Sequence, residues 1–240
     1  MSFYSQFADH YEAVFPFQEE TYAFLKSCLP ADTRRILDAG CGTGHYCGRL
    51  AADGYEAVGV DLDPEMIRVA QSRYPAPAFR CMNMLEVGTL PPPFDAAFCI
   101  GNTAAHLAGE ASARLLEGLA RVLRPGAVWI VQTVNWDYIL QRSSYRFAPK
   151  VMAAAGVTFL REYREISESR LRFCTRLVAG DRTLFDGEVW LYPMRAMEYI
   201  DLQERHGFRL AGHYGDFKGG PFNPDAYSGS VFVFEKGSTA

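Results

Sequence analysis

The sequence predicts an α/β protein built on a doubly wound, mostly parallel sheet, and three observations carry this prediction. Short apolar runs alternate with amphipathic stretches through the first 135 residues. A glycine-rich turn follows the first run, and an acidic residue follows the second. Strands that alternate with helices pair in parallel, because each crossover helix returns the chain to the same end of the sheet. Helices then cover both faces of the sheet.

The first five strands and their helices can be placed in order along the chain. Asp63 precedes Pro64, a combination that favours an N-cap followed by a proline in the first helical turn. Pro125 and Gly126 are expected to end the last of these helices. Helices are predicted at residues 19–29, 43–53, 65–74 and 111–123, and strands at residues 34–39, 57–60, 78–82, 94–100 and 127–133.

The sequence changes character after about residue 135. Charged and apolar residues alternate from 158 to 190, with a Gly180-Asp181 pair between two such runs, and this pattern predicts antiparallel strands joined by a turn. A helix at 194–205 and strands at 208–214 and 227–235 follow.

Together these elements give one domain, residues 1–240, with a Rossmann-like sheet of seven strands whose last strand is antiparallel. The antiparallel β segment, residues 141–192, is an insertion after the fifth strand. Ligands of open α/β sheets lie beyond the carboxyl ends of the strands. We expect the insertion, and an aromatic-rich segment at residues 1–30, to cover that edge, the second as a lid.

The composition argues against several classes of function. A net charge of −4 among 240 residues, with no dense run of lysine or arginine, gives no footprint for nucleic acid. No cationic leader with an apolar core and no long apolar run are found, so we expect a cytoplasmic protein without a membrane partner. The six cysteines have no metal-ligand spacing, so we expect free thiols and no metal site. They are Cys28, Cys41, Cys47, Cys81, Cys99 and Cys174.

The glycine-rich turn reads Asp-Ala-Gly-Cys-Gly-Thr-Gly from Asp38. Gly40, Gly42 and Gly44 permit positive φ values and close approach of a ligand to the backbone N–H groups at the start of the next helix. Asp61 ends the second strand, where a carboxylate can accept hydrogen bonds from both ribose hydroxyls. The two features predict a site for a nucleotide-like ligand.

The spacing of the glycines separates two kinds of nucleotide cofactor. Dinucleotide sites carry G-x-G-x-x-G, whereas this loop has G-x-G-x-G. Asp38 would repel a diphosphate but would attract an ammonium group. The loop therefore favours a cofactor with a cationic amino-acid tail over a nicotinamide dinucleotide. A tight turn without any ligand is the alternative.

This arrangement resembles motif I of the class I S-adenosylmethionine-dependent methyltransferases. Residues 95–106, 135–140 and 214–218 are similar to segments of glycine N-methyltransferase and related bacterial small-molecule methyltransferases. The resemblance implies S-adenosylmethionine as cofactor and a small-molecule acceptor, with an amine nitrogen favoured. A small-molecule O-methyltransferase and a non-catalytic S-adenosylmethionine-binding module stay open as alternatives. The oligomeric state does not follow from the sequence.

The resemblance also assigns cofactor contacts. The loop glycines would lie against the cofactor, and Asp38 would lie near its ammonium group. Asp61 would bind the ribose hydroxyls, and Leu62 would pack on the adenine. Asn83, which stands where the wider superfamily often has an acid, would accept from the adenine amino group. The complete set of expected cofactor residues is Asp38, Gly40, Cys41, Gly42, Gly44, Asp61, Leu62, Asn83, Met84 and Asn102.

Three residues are expected on the acceptor side. Asn135 matches a family asparagine that helps to hold a substrate carboxylate, together with an arginine. His106 is a candidate proton acceptor, although a helix cap or a packed core residue is an equal alternative. Tyr11, in the aromatic segment with Tyr4, could face the sulfonium or simply pack against the core. The partner arginine stays open among Arg161, Arg164, Arg170, Arg172 and Arg176.

Overall fold

The computed structural model describes residues 8–237. Its strands form a central sheet and a second, smaller sheet. The first part of the chain contains α1 (Ala8–Val14), α2 (Glu19–Ser27), β1 (Arg35–Ala39), α3 (His45–Ala52), β2 (Glu56–Asp61), α4 (Pro64–Arg73), β3 (Ala78–Cys81), β4 (Phe94–Cys99), α5 (Gly109–Val122) and β5 (Leu123–Val134). Short 3₁₀ helices lie at Met84–Thr89 and Thr103–His106.

The second part begins with a single helical turn. It contains α6 (Trp136–Ile139), β6 (Tyr145–Arg146), β7 (Lys150–Met152), β8 (Val157–Arg164), β9 (Leu171–Ala179), β10 (Arg182–Leu191), α7 (Ala196–Arg205), β11 (Phe208–Tyr214) and β12 (Gly229–Lys236).

The central sheet has the strand order β11-β12-β5-β4-β1-β2-β3. Strands β1 to β5 pair in parallel, and the last strand, β12, is antiparallel to both of its neighbours, β5 and β11. The predicted Rossmann-like sheet of seven strands is confirmed. The strand order reverses direction between β1 and β4, so a crevice opens at the carboxyl ends of these two strands.

Helices cover both faces of the central sheet. Successive residues of a strand point to opposite faces, so neighbouring residues pack against different helices. Ile36 packs with α2, α3 and α4 on one face, while Leu37 packs with α5 and α7 on the other. Trp129, in the middle of β5, is fully buried and donates its indole N–H to Oε1 of Gln203 at 3.1 Å. Apolar burial and satisfied polar groups hold the layers together.

The second sheet has the order β10-β9-β8-β6, and β7 also pairs with β8. Gly180 and Asp181 connect β9 to β10, and Gly180 has a φ of +56° that suits glycine. The predicted turn is confirmed. The sheet extends further than the predicted strands, because the short β6 and β7 precede residue 158 and pair with the edge of β8.

The start of β5 was predicted wrongly. The preceding helix ends at Val122, one residue before the predicted end, but the strand begins at Leu123 rather than at 127, so Pro125 and Gly126 lie inside β5. Gly126 has a φ of +75°, and the β4–β5 pairing shifts register nearby, so the pair forms an irregularity at the start of the strand. Asp63, by contrast, caps α4 as predicted, with Oδ1 accepting from the N–H of Glu65 at 2.9 Å.

Two further properties concern the described residues as a whole. Within residues 8–237 no helix combines the length and the apolar character needed to cross a membrane. In the same part of the chain, no group of three or more His, Cys, Asp or Glu side chains is placed to hold a metal ion.

Candidate active site

The glycine loop lies at the carboxyl end of β1 and has the left-handed backbone that the sequence predicted. Gly40, Gly42 and Gly44 have φ values of +98°, +53° and +79°. The N–H groups of Gly40 and Cys41 donate to the carbonyl of Val60 at 2.8 and 3.0 Å. These two bonds fix the loop against the end of β2.

Neighbouring side chains approach the loop too closely for larger residues. A Cβ added to Gly40 would lie 2.6 Å from Cγ2 of Thr103, in the segment after β4. A Cβ added to Gly42 would lie 3.3 Å from the hydroxyl of Tyr11, on α1. The loop therefore runs between the end of β4 and the N-terminal helix, where only glycine combines the required φ with the available space.

Asp61 ends β2 and binds the glycine loop directly. Its Oδ2 accepts from the N–H of Gly42, and its Oδ1 accepts from the N–H of Asp63, both at 2.9 Å. Burial raises the pKa of the Asp61 carboxyl, while these backbone hydrogen bonds act to lower it. Each carboxylate oxygen keeps a lone pair for a further donor, such as a ribose hydroxyl.

Asp38 is a buried acid beneath the loop, with 4 % of its surface exposed. The Cys47 thiol lies 3.6 Å from its Oδ2 and is its hydrogen-bond donor. Burial, and to a smaller extent the charge of Asp61, raise the pKa of Asp38 to about 8. A buried carboxylate is stabilised in its ionised form by a cationic partner, so this position suits an ammonium group.

Leu62 and the segment after β3 lie side by side at the carboxyl ends of β2 and β3. Leu62 directly follows Asp61, and its side chain is 68 % exposed. Asn83 and Met84 are half-buried next to the end of β3. Oδ1 of Asn83 accepts from the N–H of Leu85 at 3.0 Å, so it caps the 3₁₀ helix that follows. The expected bond from an adenine amino group would have to use the second lone pair of the same oxygen.

Asn102 connects the ends of β4 and β5. It has a φ of +65°, and its Oδ1 accepts from the N–H of Val134 at 2.9 Å. Oε1 of Gln132 supports the same turn by accepting from the N–H of Gly101 at 2.8 Å. Sequence reasoning missed Gln132, although a glutamine in an otherwise apolar strand is a visible signal.

His106 lies at the end of the 3₁₀ helix Thr103–His106 and is half-buried. Burial lowers its pKa, so the imidazole is neutral near pH 7. The carbonyl of the adjacent Ala105 accepts from the N–H of Tyr192 at 2.8 Å, which connects the end of the smaller sheet to this segment. A neutral imidazole at this edge has the protonation state of a proton acceptor.

Asn135 is held within the protein by three hydrogen bonds. It is fully buried, and its Nδ2 donates to the carbonyls of Asn223 and Ala226, both at 2.8 Å. Its Oδ1 accepts from the N–H of Tyr138 at 3.2 Å. Both amide hydrogens are used, so the side chain has none left for a substrate carboxylate. In this arrangement Asn135 caps α6 and holds the loop before β12, which argues against the expected direct contact with a substrate carboxylate.

The N-terminal helix lies against the glycine loop. Tyr11 faces Gly42, and its ring is 5.1 Å from that of Phe15, centroid to centroid. An ion pair between Glu12 and Arg73 attaches α1 to α4. Residues 1–7 of the expected lid, Tyr4 among them, lie outside the described residues.

Four of the five candidate arginines do not face the sheet edge. Arg164, Arg172 and Arg176 lie on the outer face of the smaller sheet and pair with acids there. Arg170 is exposed and packs on Trp190, with Cζ 4.3 Å from a ring centroid. Arg161 lies on the inner face, where it contacts the ring of Phe147 with Cζ 4.8 Å from the centroid.

Comparison with known proteins agrees with this geometry. A family described as "Methyltransferase domain" matches residues 36–126. The chain is 27% identical over 238 residues to a glycine/sarcosine/dimethylglycine N-methyltransferase of Actinopolyspora halophila, covering 92% of this chain and 39% of that protein. It is 32% identical over 123 residues to the glycine N-methyltransferase of Rattus norvegicus, covering 44% of this chain and 42% of the other. The chain therefore spans less than half the length of these two relatives.

A solved structure shares the fold over nearly the whole chain. It is an S-adenosylmethionine-dependent methyltransferase from Clostridium acetobutylicum ATCC 824, with a TM-score of 0.79 and 14% sequence identity. The superposition covers 98% of this chain and 99% of the other. The smaller sheet is therefore part of the shared fold.

Proposed function

We propose that this chain, which belongs to the class I S-adenosylmethionine-dependent methyltransferases, transfers a methyl group to the amine nitrogen of a small molecule. The observation that carries the choice of nitrogen is the match to the Actinopolyspora N-methyltransferase. That match covers 92% of this chain, so it includes at least part of the smaller sheet. The named acceptors of that relative, glycine, sarcosine and dimethylglycine, are all amines.

The residues around the glycine loop fit the methyl donor of this family. Asp38 would pair with its ammonium group, since the buried carboxylate lacks a cationic partner among the described side chains. Asp61 would accept hydrogen bonds from the ribose, and the exposed side chain of Leu62 would pack on the adenine. When bound, S-adenosylmethionine supplies an electrophilic methyl group on a positively charged sulfur.

Methyl transfer to an amine requires placement, exclusion of water and an unprotonated nitrogen. The end of β4, the end of β5 and α1 would hold the acceptor in line with the methyl group. Neutral His106 would accept the proton that the acceptor loses. Tyr11, next to Gly42, would present its ring to the sulfonium, because the face of an aromatic ring attracts a cation.

A hydroxyl acceptor is the second candidate, and the state of His106 is the observation that favours it. A hydroxyl needs a base more than an amine does, and a half-buried neutral imidazole at the sheet edge is one. Glycine itself is not proposed as the acceptor, since the asparagine expected to hold its carboxylate is fully used within the protein.

The test measures release of S-adenosylhomocysteine over a panel of primary amines, secondary amines and hydroxylated small molecules. The cofactor carries a ¹³C-labelled methyl group. We expect release with at least one amine, and nuclear magnetic resonance should place the label on nitrogen. Label on oxygen would select the hydroxyl candidate. Tight cofactor binding without turnover of any acceptor would contradict both.

A further inference from the structure

The smaller sheet packs on different partners at its two ends. At one end, which we call the base, Leu171 and Leu191 pack with Trp136 of α6 and Ala105 of the segment after β4. The N–H of Tyr192, directly after β10, donates to the carbonyl of Ala105 at 2.8 Å. The base is therefore attached to the carboxyl edge of the central sheet.

The other end of the smaller sheet, which we call the tip, consists of β7 and the ends of β8, β9 and β10 near the turn at Gly180. Phe159 is paired with Leu177, and Leu177 with Phe185, so these buried side chains form one row across the inner face. Among the described residues, the core to which this row belongs contains none of the central sheet. The apolar packing of the tip is therefore separate from that of the central sheet.

The N-terminal helix completes the core of the tip. Val14, at the end of α1, is fully buried in this core, and Tyr11 and Phe15 pack against it. The ring of Phe15 lies edge-on to that of Phe159, with centroids 5.7 Å apart. Nζ of Lys150, on β7, donates to the carbonyl of Val14, in the last turn of a helix, where carbonyls have no partner within the helix. Because α1 and the tip share a core, we expect them to move as one body, which we call the cover.

The cover lies over the glycine loop. Gly42, Thr43 and Gly44 are buried, although they belong to the segment that would contact the cofactor. The hydroxyl of Tyr11 is 3.3 Å from the position of a Cβ at Gly42, so α1 crosses the loop directly. From the side that α1 covers, a ligand as large as S-adenosylmethionine reaches Gly42 only when the cover moves away.

A short connection joins the cover to the next helix. Residues 15–18 lie between α1 and α2 and are not helical. Within this stretch, Phe17 packs in the core of the central sheet, with its ring 5.1 Å from that of Tyr46, whereas Phe15 packs in the core of the tip. Pro16 therefore stands at the boundary between the two bodies. A few residues at the end of an element are sufficient for a hinge.

An ion pair joins the cover to the central part of the protein beside the loop. Glu12, on α1, pairs with Arg73, in the last turn of α4. Burial lowers the pKa of the nearby His45, so its imidazole is neutral near pH 7 and Arg73 is the cationic partner of Glu12. Both members of the pair are partly exposed, so water can solvate them when the contact opens.

We propose that α1 and the tip of the smaller sheet form a single cover that opens and closes over the glycine loop, with the Glu12–Arg73 ion pair as its latch. Opening turns α1 about Pro16 and the tip about the base, and it lets the cofactor enter and the product leave. A partly exposed ion pair suits a latch, because it contributes little to stability and is broken easily. This inference depends on the cofactor and not on the nature of the acceptor.

The test measures association and dissociation rates of S-adenosylhomocysteine by surface plasmon resonance. Glu12→Gln removes one charge, and Arg73→Glu replaces attraction by repulsion. A double variant, Glu12→Arg with Arg73→Glu, restores an ion pair with the charges exchanged. Arg68→Glu is the matched control, because Arg68 lies on the same helix and pairs with Glu65 there. Urea unfolding checks that each variant is folded.

A weaker latch should raise both rates together. Only the open protein binds the ligand, and only the open complex releases it, so the same opening equilibrium enters both rates. Arg73→Glu should raise each rate about two- to fivefold, the range for a partly exposed ion pair, and Glu12→Gln should raise each by less. The double variant should return towards the wild type, and Arg68→Glu should match it. The dissociation constant should change less than either rate.

A distance measurement tests whether the tip moves with α1. Spin labels on p-acetylphenylalanine, which leave the native cysteines unlabelled, replace Asp181, in the turn of the tip, and Asp201, on the exposed side of α7. Double electron–electron resonance should give a narrow distance distribution with S-adenosylhomocysteine bound. Ligand-free Arg73→Glu should add a second population of distances.

Three results would overturn the inference. Equal rates in wild type and Arg73→Glu would show that the ion pair is not a latch. Faster dissociation with unchanged association would mean that Arg73 acts on the bound ligand and not on opening. A single, unchanged distance distribution in wild type and Arg73→Glu would show that the tip stays in place and does not move with α1.

Discussion

The backbone N–H of Gly42 donates a 2.9 Å hydrogen bond to Oδ2 of Asp61, so the glycine loop after β1 and the acid at the end of β2 form one unit. The other oxygen of Asp61 accepts from the N–H of Asp63, at the start of α4. A ligand that lies against the loop therefore also meets this carboxylate. Two sequence signals that lie 19 residues apart describe a single site.

Asp61→Ala should weaken the binding of S-adenosylmethionine about ten- to a hundredfold, the effect of losing charge-assisted hydrogen bonds of about 1.5 to 3 kcal/mol. The loop also loses its partner at Gly42. Titration calorimetry of the folded variant measures the effect. Asp201→Ala, on the exposed side of α7, is the control and should bind normally. Unchanged affinity in Asp61→Ala would remove the ribose role.

Gly42→Ala should lose cofactor affinity, whereas Gly54→Ala should not. Both glycines have positive φ values, +53° and +94°, so either substitution costs about 1 to 2 kcal/mol of backbone strain. Only the new Cβ at residue 42 meets another group, the Tyr11 hydroxyl at 3.3 Å, and Gly54 has open space. Urea unfolding and cofactor titration of both variants separate strain from binding. Equal loss of affinity in the two would mean that the loop does not contact the cofactor.

Cofactor affinity should rise with pH between about 6 and 7.5, and binding should release protons. Asp38 has its pKa raised to about 8 by burial, so it is largely protonated at pH 6, and an ammonium partner requires its ionised form. The same shift has the opposite effect on the cofactor-free protein: its stability should fall as pH rises from about 4 to 8, because the folded state binds the proton more tightly than the unfolded state does.

Calorimetry in buffers of different ionisation enthalpy measures the released protons. The Asp38→Asn variant is the matched control, because its amide has a similar shape and does not titrate. Its cofactor affinity should be lower and independent of this ionisation. The same proton release in wild type and Asp38→Asn would show that another group is responsible.

Asn135→Leu should destabilise the protein by about 2 to 4 kcal/mol, since the side chain makes three hydrogen bonds in a fully buried position. Asn223→Ala leaves in place the backbone carbonyl that Asn135 binds and should have a much smaller effect. Urea unfolding provides both values. Normal stability of Asn135→Leu, together with loss of acceptor turnover, would restore the direct substrate role.

Tyr11→Leu should weaken S-adenosylmethionine binding more than S-adenosylhomocysteine binding. Only the first ligand carries the sulfonium charge, and a ring face attracts a cation by about 0.5 to 2 kcal/mol. Tyr11→Phe keeps the ring beside Gly42, so the affinity for S-adenosylmethionine relative to S-adenosylhomocysteine should stay as in the wild type. Titrations of both variants with both ligands measure it. Equal losses for the two ligands in Tyr11→Leu would indicate packing alone.

Local sequence signals were sufficient for the backbone of the glycine loop and for the position of Asp61 beside it. The three glycines occupy alternate positions of one short segment, and their positive φ values are a property of the local backbone. The φ values of Gly40, Gly42 and Gly44 and the sheet order follow from these signals. Contacts of Asp61 with the loop also follow, because parallel strands end at the same edge.

The acceptor side depends on contacts between distant residues, and the sequence did not predict it. The carbonyls that occupy Asn135 belong to a loop 88 and 91 residues further along the chain. Arg161 is distinguished from Arg164 by the register of β8, which determines the face each side chain occupies. The carbonyls that Asn135 binds have no signal in the local sequence, and the alternation along β8 separates the two arginines without showing which face packs inward.

The claim on which the whole account depends is that residues 38–44 and Asp61 bind S-adenosylmethionine. The most direct measurement is calorimetric titration of the wild-type protein and Gly42→Ala with S-adenosylmethionine, S-adenosylhomocysteine and NAD. The account predicts saturable binding of the first two ligands by wild type, a loss of that binding in Gly42→Ala, and no binding of NAD. Binding of NAD in place of S-adenosylmethionine, or equal binding of S-adenosylmethionine by wild type and variant, would contradict it.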